Sequence, residues 1–186
     1  MRALLFAALL LLPAACAGSG PGATPADPAG GAAMAADLLP FEASSAPFLN
    51  ARDGSARTLR VVPAADGQSA RLVLDSGAGA PSEIRVTRAD DGLWFSADVD
   101  KGTRLIQFGA NPGDEWESAG RRVRFDGWEP ASLGGASIEA ARITARRGPA
   151  SLEHVETWWF ARGVGLVRLK SDRGSLSVDE LVRAGR

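Results

Sequence analysis

The apolar positions of this chain fall into short runs with a period of two, separated by glycine-bearing turns. Ile84 and Val86 alternate with Arg85 and Thr87, and Val123 and Phe125 alternate with Arg122 and Arg124. Successive strand side chains point to opposite faces, so each run makes a strand with one apolar and one wet face. Turn signals stand between the runs, at Asp53-Gly54, Asp66-Gly67, Asp91-Gly92, Asp126-Gly127 and Ser171-Asp172-Arg173-Gly174. Together they predict strands over 57–63, 69–75, 82–89, 92–99, 103–109, 121–126, 136–146, 153–161, 164–171 and 175–183, and no long amphipathic helix. A sheet of about ten one-sided strands must curl on itself or split into two packed layers. The expectation is an all-β single domain, an antiparallel meander forming a curled half-barrel, a barrel or a sandwich.

The most apolar run is 157–170, TWWFARGVGLVRLK, which reads as a hairpin turning at Arg162-Gly163. A two- or four-residue loop sets Phe160 opposite Gly165, Trp159 opposite Leu166 and Trp158 opposite Val167, because cross-strand partners share a face. One face then carries Trp158, Phe160, Val167 and Leu169 as core. The other carries Trp159 and Leu166, and another strand, the N-terminal segment or a ligand must cover Trp159.

The same residues carry a resemblance. Trp158, Trp159, Ala161, the Gly-Val-Gly-Leu-Val of 163–167 and Glu180, Leu181 and Val182 are similar to the closing motif of a family of secreted bacterial β-rich domains of unknown function. Gly113 and Trp116 match an upstream element of that family. The resemblance implies a β fold and brings no assigned activity.

Residues 1–16, MRALLFAALLLLPAAC, have one arginine, an apolar stretch and small residues before a cysteine, the build of a secretory signal too short to span a membrane stably. Cys16, the single cysteine, lies where a bacterial lipoprotein is cut and acylated, and the segment resembles a lipobox with Pro13 where leucine is preferred. Cleavage near Ala15 or Ala17 without acylation is the alternative. Residues 17–36 are rich in Gly, Pro and Ala, the composition of a flexible tether. Residues 37–186 then form the domain. With Cys16 used as an anchor, the mature chain has no disulfide and no thiolate metal site. Ala17 supplies no acidic retention signal, so the expected location is the outer membrane facing the periplasm, or secretion if the anchor is absent.

Charge narrows the partners. The chain has 21 basic and 22 acidic residues, and Arg2 would leave with the signal. Interspersed charges near neutrality give no footprint for nucleic acid. The expected partners are the membrane, through the anchor, and a lipid or an envelope protein; no cofactor or metal is expected.

Chemistry-bearing motifs are sparse. Residues 71–80, RLVLDSGAGA, resemble the active-site loop of retroviral-type aspartic proteases, in which Asp75 and its mate in a homodimer would share a proton and activate water. A strand ending in an Asp-Ser-Gly turn accounts for the same residues, because Gly77, Gly79 and Pro81 are turn formers. His154, the single histidine, lacks a cysteine nucleophile or second histidine nearby and reads as a strand surface residue. Asp98 and Asp100 lie in an acidic turn without the later ligands of a calcium loop. Glu115 and Glu117 belong to a carboxylate-rich run, 113–117, whose neighbours in sequence point to opposite faces of a strand. The expected function is therefore a lipid-anchored, non-enzymatic envelope domain with a binding or structural role. An alternative is a half-barrel that takes a lipid or acyl chain against several of Trp94, Trp116, Trp128, Trp158 and Trp159; a further alternative is the Asp75 protease.

Overall fold

The computed structural model describes residues 38–75, 77, 79–97, 102–149, 153–172 and 178–185. They form strands β1 (Ser44–Asn50), β2 (Ala56–Pro63), β3 (Ser69–Asp75), β4 (Ser82–Ala89), β5 (Gly92–Ser96), β6 (Thr103–Gln107), β7 (Glu115–Ser118), β8 (Arg121–Leu133), β9 (Ala136–Arg147), β10 (His154–Ala161), β11 (Gly165–Asp172) and β12 (Val178–Arg183). All twelve belong to one sheet in the order β6-β5-β4-β3-β2-β1-β12-β11-β10-β9-β8-β7. Each neighbouring pair is antiparallel, and the sheet curls into a nearly closed barrel, which selects the barrel from the three arrangements the sequence left open.

Two strands go beyond the ten expected. β1 contains Pro47, which argues against a central strand, yet Pro47 sits where the β1–β12 ladder ends and contributes only its carbonyl, accepting the Ala184 N–H at 2.9 Å. β7 has four residues, Glu-Trp-Glu-Ser, too short to register as a periodic run.

Closure falls between β6 and β7, the two ends of the sheet. Ser118 Oγ accepts the Arg104 backbone N–H at 2.7 Å, and Trp116 Nε1 donates to the Arg104 carbonyl at 2.7 Å. Side chains of β7 thereby satisfy the edge of β6 in place of a backbone ladder.

Alternation fills the interior. Phe48, Leu72, Val86, Leu93, Leu105, Val123, Phe125, Ile143, Trp158 and Phe160 are all buried in one cluster. The end at which β1 starts is capped by Leu38 and Leu39, each 1 % exposed. A Cβ on Gly165 would stand 3.5 Å from Leu39 Cδ1, so this glycine, at φ +86°, supplies the turn and lets the cap seat over the hairpin.

The hairpin register corrects the sequence-based expectation. Its loop has three residues, 162–164, with Ala161 opposite Gly165 and Phe160 opposite Leu166. A bulge then shifts the pairing so that Trp159 faces Arg168 and Trp158 faces Leu169. The extra residue is Val167. Trp158, Phe160 and Leu166 therefore enter the core with Leu169 packed against them, whereas Val167 joins Trp159 on the outer face. An odd loop and a single bulge exchange the faces expected for Leu166 and Val167.

Another strand pair covers Trp159. The β8–β9 hairpin carries a second register shift, between Phe125 and Gly127, and overhangs the strands beside it. Ala131 and Ile138 from its distal half pack against Trp159, Ala161 and Val167. Its tip reaches the chain beyond β12, where a Cβ on Gly134 would lie 2.9 Å from the Gly185 Cα.

Candidate functional site

The barrel has two unlike ends. The capped end carries the 162–164 and 134–135 turns; the opposite end, where β4, β6, β8 and β10 begin, is where the interior opens. Phe48, Leu59, Leu72, Leu74, Ile84, Trp158, Leu166, Leu169 and Leu181, with Ser82 at the rim, enclose an apolar cavity of about 60 Å³. A second cavity of about 130 Å³ shares the Ile84 and Trp158 walls and is completed by Phe95, Ala97, Thr103, Leu105, Arg121 and Glu156. Trp158 thus stands between a hydrocarbon wall and a polar one.

Its own geometry makes it the notable residue. The side chain is 5 % exposed, with its ring edge-on to Phe95 at 5.6 Å and stacked parallel with Phe160 at 6.2 Å. The indole Nε1 is buried and has no hydrogen-bond partner among the described residues. A buried donor without an acceptor costs about 1–3 kcal/mol, and buried tryptophans usually find one.

The polar wall is internally paired. Arg121 donates to Glu156 Oε2, and both side chains keep partial solvent access. His154 Nε2 lies 3.6 Å from the other Glu156 oxygen and 3.0 Å from Ser171 Oγ. The histidine thus belongs to a polar cluster at the start of β10 as well as to the strand surface.

The five tryptophans, of which several were expected to line one pocket, stand in different surroundings: Trp158 and Trp116 line separate cavities. Trp94 is half-buried and donates to Asp91 Oδ1 at 3.0 Å. Trp116 locks the β6–β7 seam. Trp128 lies edge-on to Phe125 at 6.0 Å, under the Arg162 guanidinium at 4.5 Å. Trp159 donates to Glu129 Oε1 and stacks beneath Arg168 at 4.5 Å, while Arg168 is itself held 2.7 Å from Glu180. Trp158 alone of the five borders the two cavities at the open end. Sequence set Trp158 in the core and left Trp159 to be covered by a strand, the N-terminal segment or a ligand; the structure covers Trp159 with the β8–β9 hairpin.

Asp75 closes β3, where its Oδ1 accepts the Gly77 N–H at 2.8 Å. That is the bond of a side-chain-capped turn. Cys16 and the acidic turn at Asp98 and Asp100 lie outside the described residues. Among the described residues no group of three or more His, Cys, Asp or Glu side chains is placed to hold a metal ion.

A larger cleft, about 520 Å³, opens at the capped end between 42–47, Leu133, Gly134, Gly163, Val164 and the end of β12. Its walls are mostly small side chains and backbone, and Arg183 there donates to the Val164 carbonyl at 2.7 Å. No described side chain lining it buries an unpartnered polar atom. The open end, although smaller, is the one whose cavity walls are mainly large apolar side chains.

Comparison with known proteins gives no family model that matches the chain and no curated protein that matches it significantly. Among solved structures, the chain is similar to a protein described as exported, with a YmcC-like fold, from Bacteroides fragilis, at 11% identity and a TM-score of 0.49 over 78% of this chain and 96% of that one. It is also similar to a protein described as a lipoprotein, from Parabacteroides distasonis, at 13% identity and a TM-score of 0.43 over 77% of this chain and 94% of that one.

Proposed function

We propose that this chain is a lipid-anchored, non-enzymatic binding domain of the cell envelope, with its binding site at the open end of the barrel. The observation that supports the binding role is the apolar cavity at the open end, lined by leucines and Trp158 and adjoined across Trp158 by a cavity with a polar wall. The anchor is read from the signal-like segment ending at Cys16 and the tether that follows it. A tether of that composition holds a folded body away from the bilayer while leaving it free to orient.

Fractionation tests the anchor. The chain expressed with its own leader should sediment with membranes and extract only with detergent, and a Cys16→Ser variant should move to the soluble envelope fraction. Equal partitioning of the two proteins into the soluble fraction would refute the anchor.

A further inference from the structure

We infer that the cleft at the capped end is a peptide-binding groove, in which an extended segment of a partner polypeptide adds as a strand to the free edge of β1 at Ser45. This site lies at the other end of the barrel from the cavity beside Trp158 and does not depend on it.

The ladder itself locates the edge. In an antiparallel pair, alternate residues turn both N–H and C=O toward one neighbouring strand, and the residues between them face the other. At the two ends of the β1–β12 pairing the Ala51 N–H donates to the Glu180 carbonyl at 2.7 Å and the Ala184 N–H donates to the Pro47 carbonyl at 2.9 Å, so the odd-numbered residues of β1 face β12. Ser45 is the next of them. By that point β12 has ended at Arg183, and the chain has turned aside toward Gly134, where a Cβ would stand 2.9 Å from the Gly185 Cα. Pairing with β12 accordingly stops at Phe48 and Arg183, while pairing with β2 continues to Ser44. Ser45 is exposed, and its N–H and C=O have no strand across from them among the described residues.

What lies across from them is the cleft. Its volume of about 520 Å³ falls within the roughly 300–1,000 Å³ of sites that enclose a ligand, and it runs along 43–47 between β1 and the turns at Gly134 and Gly163. A donor and an acceptor side by side on a strand edge are complementary to another backbone, which is how peptides bind by strand addition. Recessed between two turns, this edge suits a lone extended segment rather than the edge of a second barrel. The floor of the cleft sets the side chains. Residues of the added strand opposite Ser44 and Ala46 point inward, because cross-strand partners share a face. Below them a depression of about 20 Å³ lies among Leu39, Ala46, Val61, Val164 and Leu166. Such a volume holds roughly one water-sized or methyl group, so an inward residue is alanine and not leucine. The residue opposite Ser45 points outward and is free to be polar.

The experiment titrates acetyl-Thr-Ala-Thr-Ala-Thr-amide into the full chain carrying Cys16→Ser and follows backbone amides by NMR. In the free protein the Ser45 amide should exchange with solvent far faster than that of Leu49, which the β12 ladder holds. Added peptide should move the Ser45 amide downfield and saturably and slow its exchange at least about tenfold, the effect of one hydrogen bond with its edge covered. Ser45→Pro removes that N–H without costing a bond to β2, as Pro47 already does two residues on, and should weaken binding about tenfold by calorimetry. Ser45→Ala keeps the backbone and should bind as wild type does. Leucine in place of the peptide alanines should weaken binding severalfold or more.

A Ser45 amide as protected as Leu49 in the free protein would overturn the inference, as would a peptide that fails to bind at millimolar concentration or that binds Ser45→Pro and wild type equally. Protection of Ser45 that appears on raising the protein concentration without peptide would also overturn it, by putting a second copy in the cleft.

Discussion

At the scale of single residues, the turns of this protein are held by aspartates. Asp66 accepts from Ser69 Oγ and from the backbone N–H groups of Gln68 and Ser69, and the Ser69 bond is the main reason its carboxyl is held below the usual range. Asp91 is lowered first by the Trp94 indole and then by Arg104; Asp53 is lowered by Ser55. In the unfolded chain these groups take up protons near pH ~3.9, before the folded chain does, so the stability they supply is complete above that value and is lost as pH falls through the lowered folded values. Asp66→Asn should be less stable than wild type at neutral pH, and the gap in melting temperature should close as pH is lowered from about 5 to about 2. A gap that stayed constant over that range would remove the carboxylate from the explanation. The Asp-Gly pairs were legible as turns because these residues turn the chain by local chemistry. Asp75 shows the limit of such reading: one tetrapeptide fits a catalytic loop and a capped turn, and only its bond to Gly77 displays the turn. Acid proteolysis, if any is measured, should persist in Asp75→Ala.

At the scale of elements, period-two alternation located ten of the twelve strands, since burial of one face is a local demand on each strand. What it missed depends on partners distant in sequence. β7 is a strand because Trp116 and Ser118 satisfy the edge of β6, and no property of Glu-Trp-Glu-Ser announces that. Trp116→Phe should keep the ring in the core yet leave the Arg104 carbonyl without its donor, at a cost of about 1–3 kcal/mol in chemical denaturation. Amides of β6 should then exchange faster than those of β2. Faster exchange spread evenly over all strands would argue against a local seam. The β10–β11 hairpin was recognised and its register was not, because loop length and bulge are set by how Leu166 and Trp159 find cover on opposite faces. The Gly134–Gly185 contact ties the overhanging hairpin to the end of β12. Gly134→Ala adds a Cβ at φ +60° against that backbone and should destabilise by more than about 1 kcal/mol in thermal unfolding.

At the scale of the whole molecule, the barrel is a nearly closed meander whose two ends differ. One is capped by Leu38 and Leu39; the other sets the buried Trp158 between leucines and an arginine–glutamate pair. The barrel itself was one of three arrangements compatible with the sequence, and closure was decided by the β6–β7 seam. The site was legible only as a tryptophan in the core, because a cavity between strands has no signature in sequence. The leader and tether, by contrast, are read from sequence alone, and they give the barrel its proposed place at a membrane. The direct test of that placement is the intact mass of the protein expressed with its own leader and purified from membranes. A mass matching a chain that begins at Cys16 and carries two or three acyl groups is expected. A mass matching an unmodified chain cut near Ala15 or Ala17 would contradict the anchor and leave the barrel a freely diffusing secreted domain.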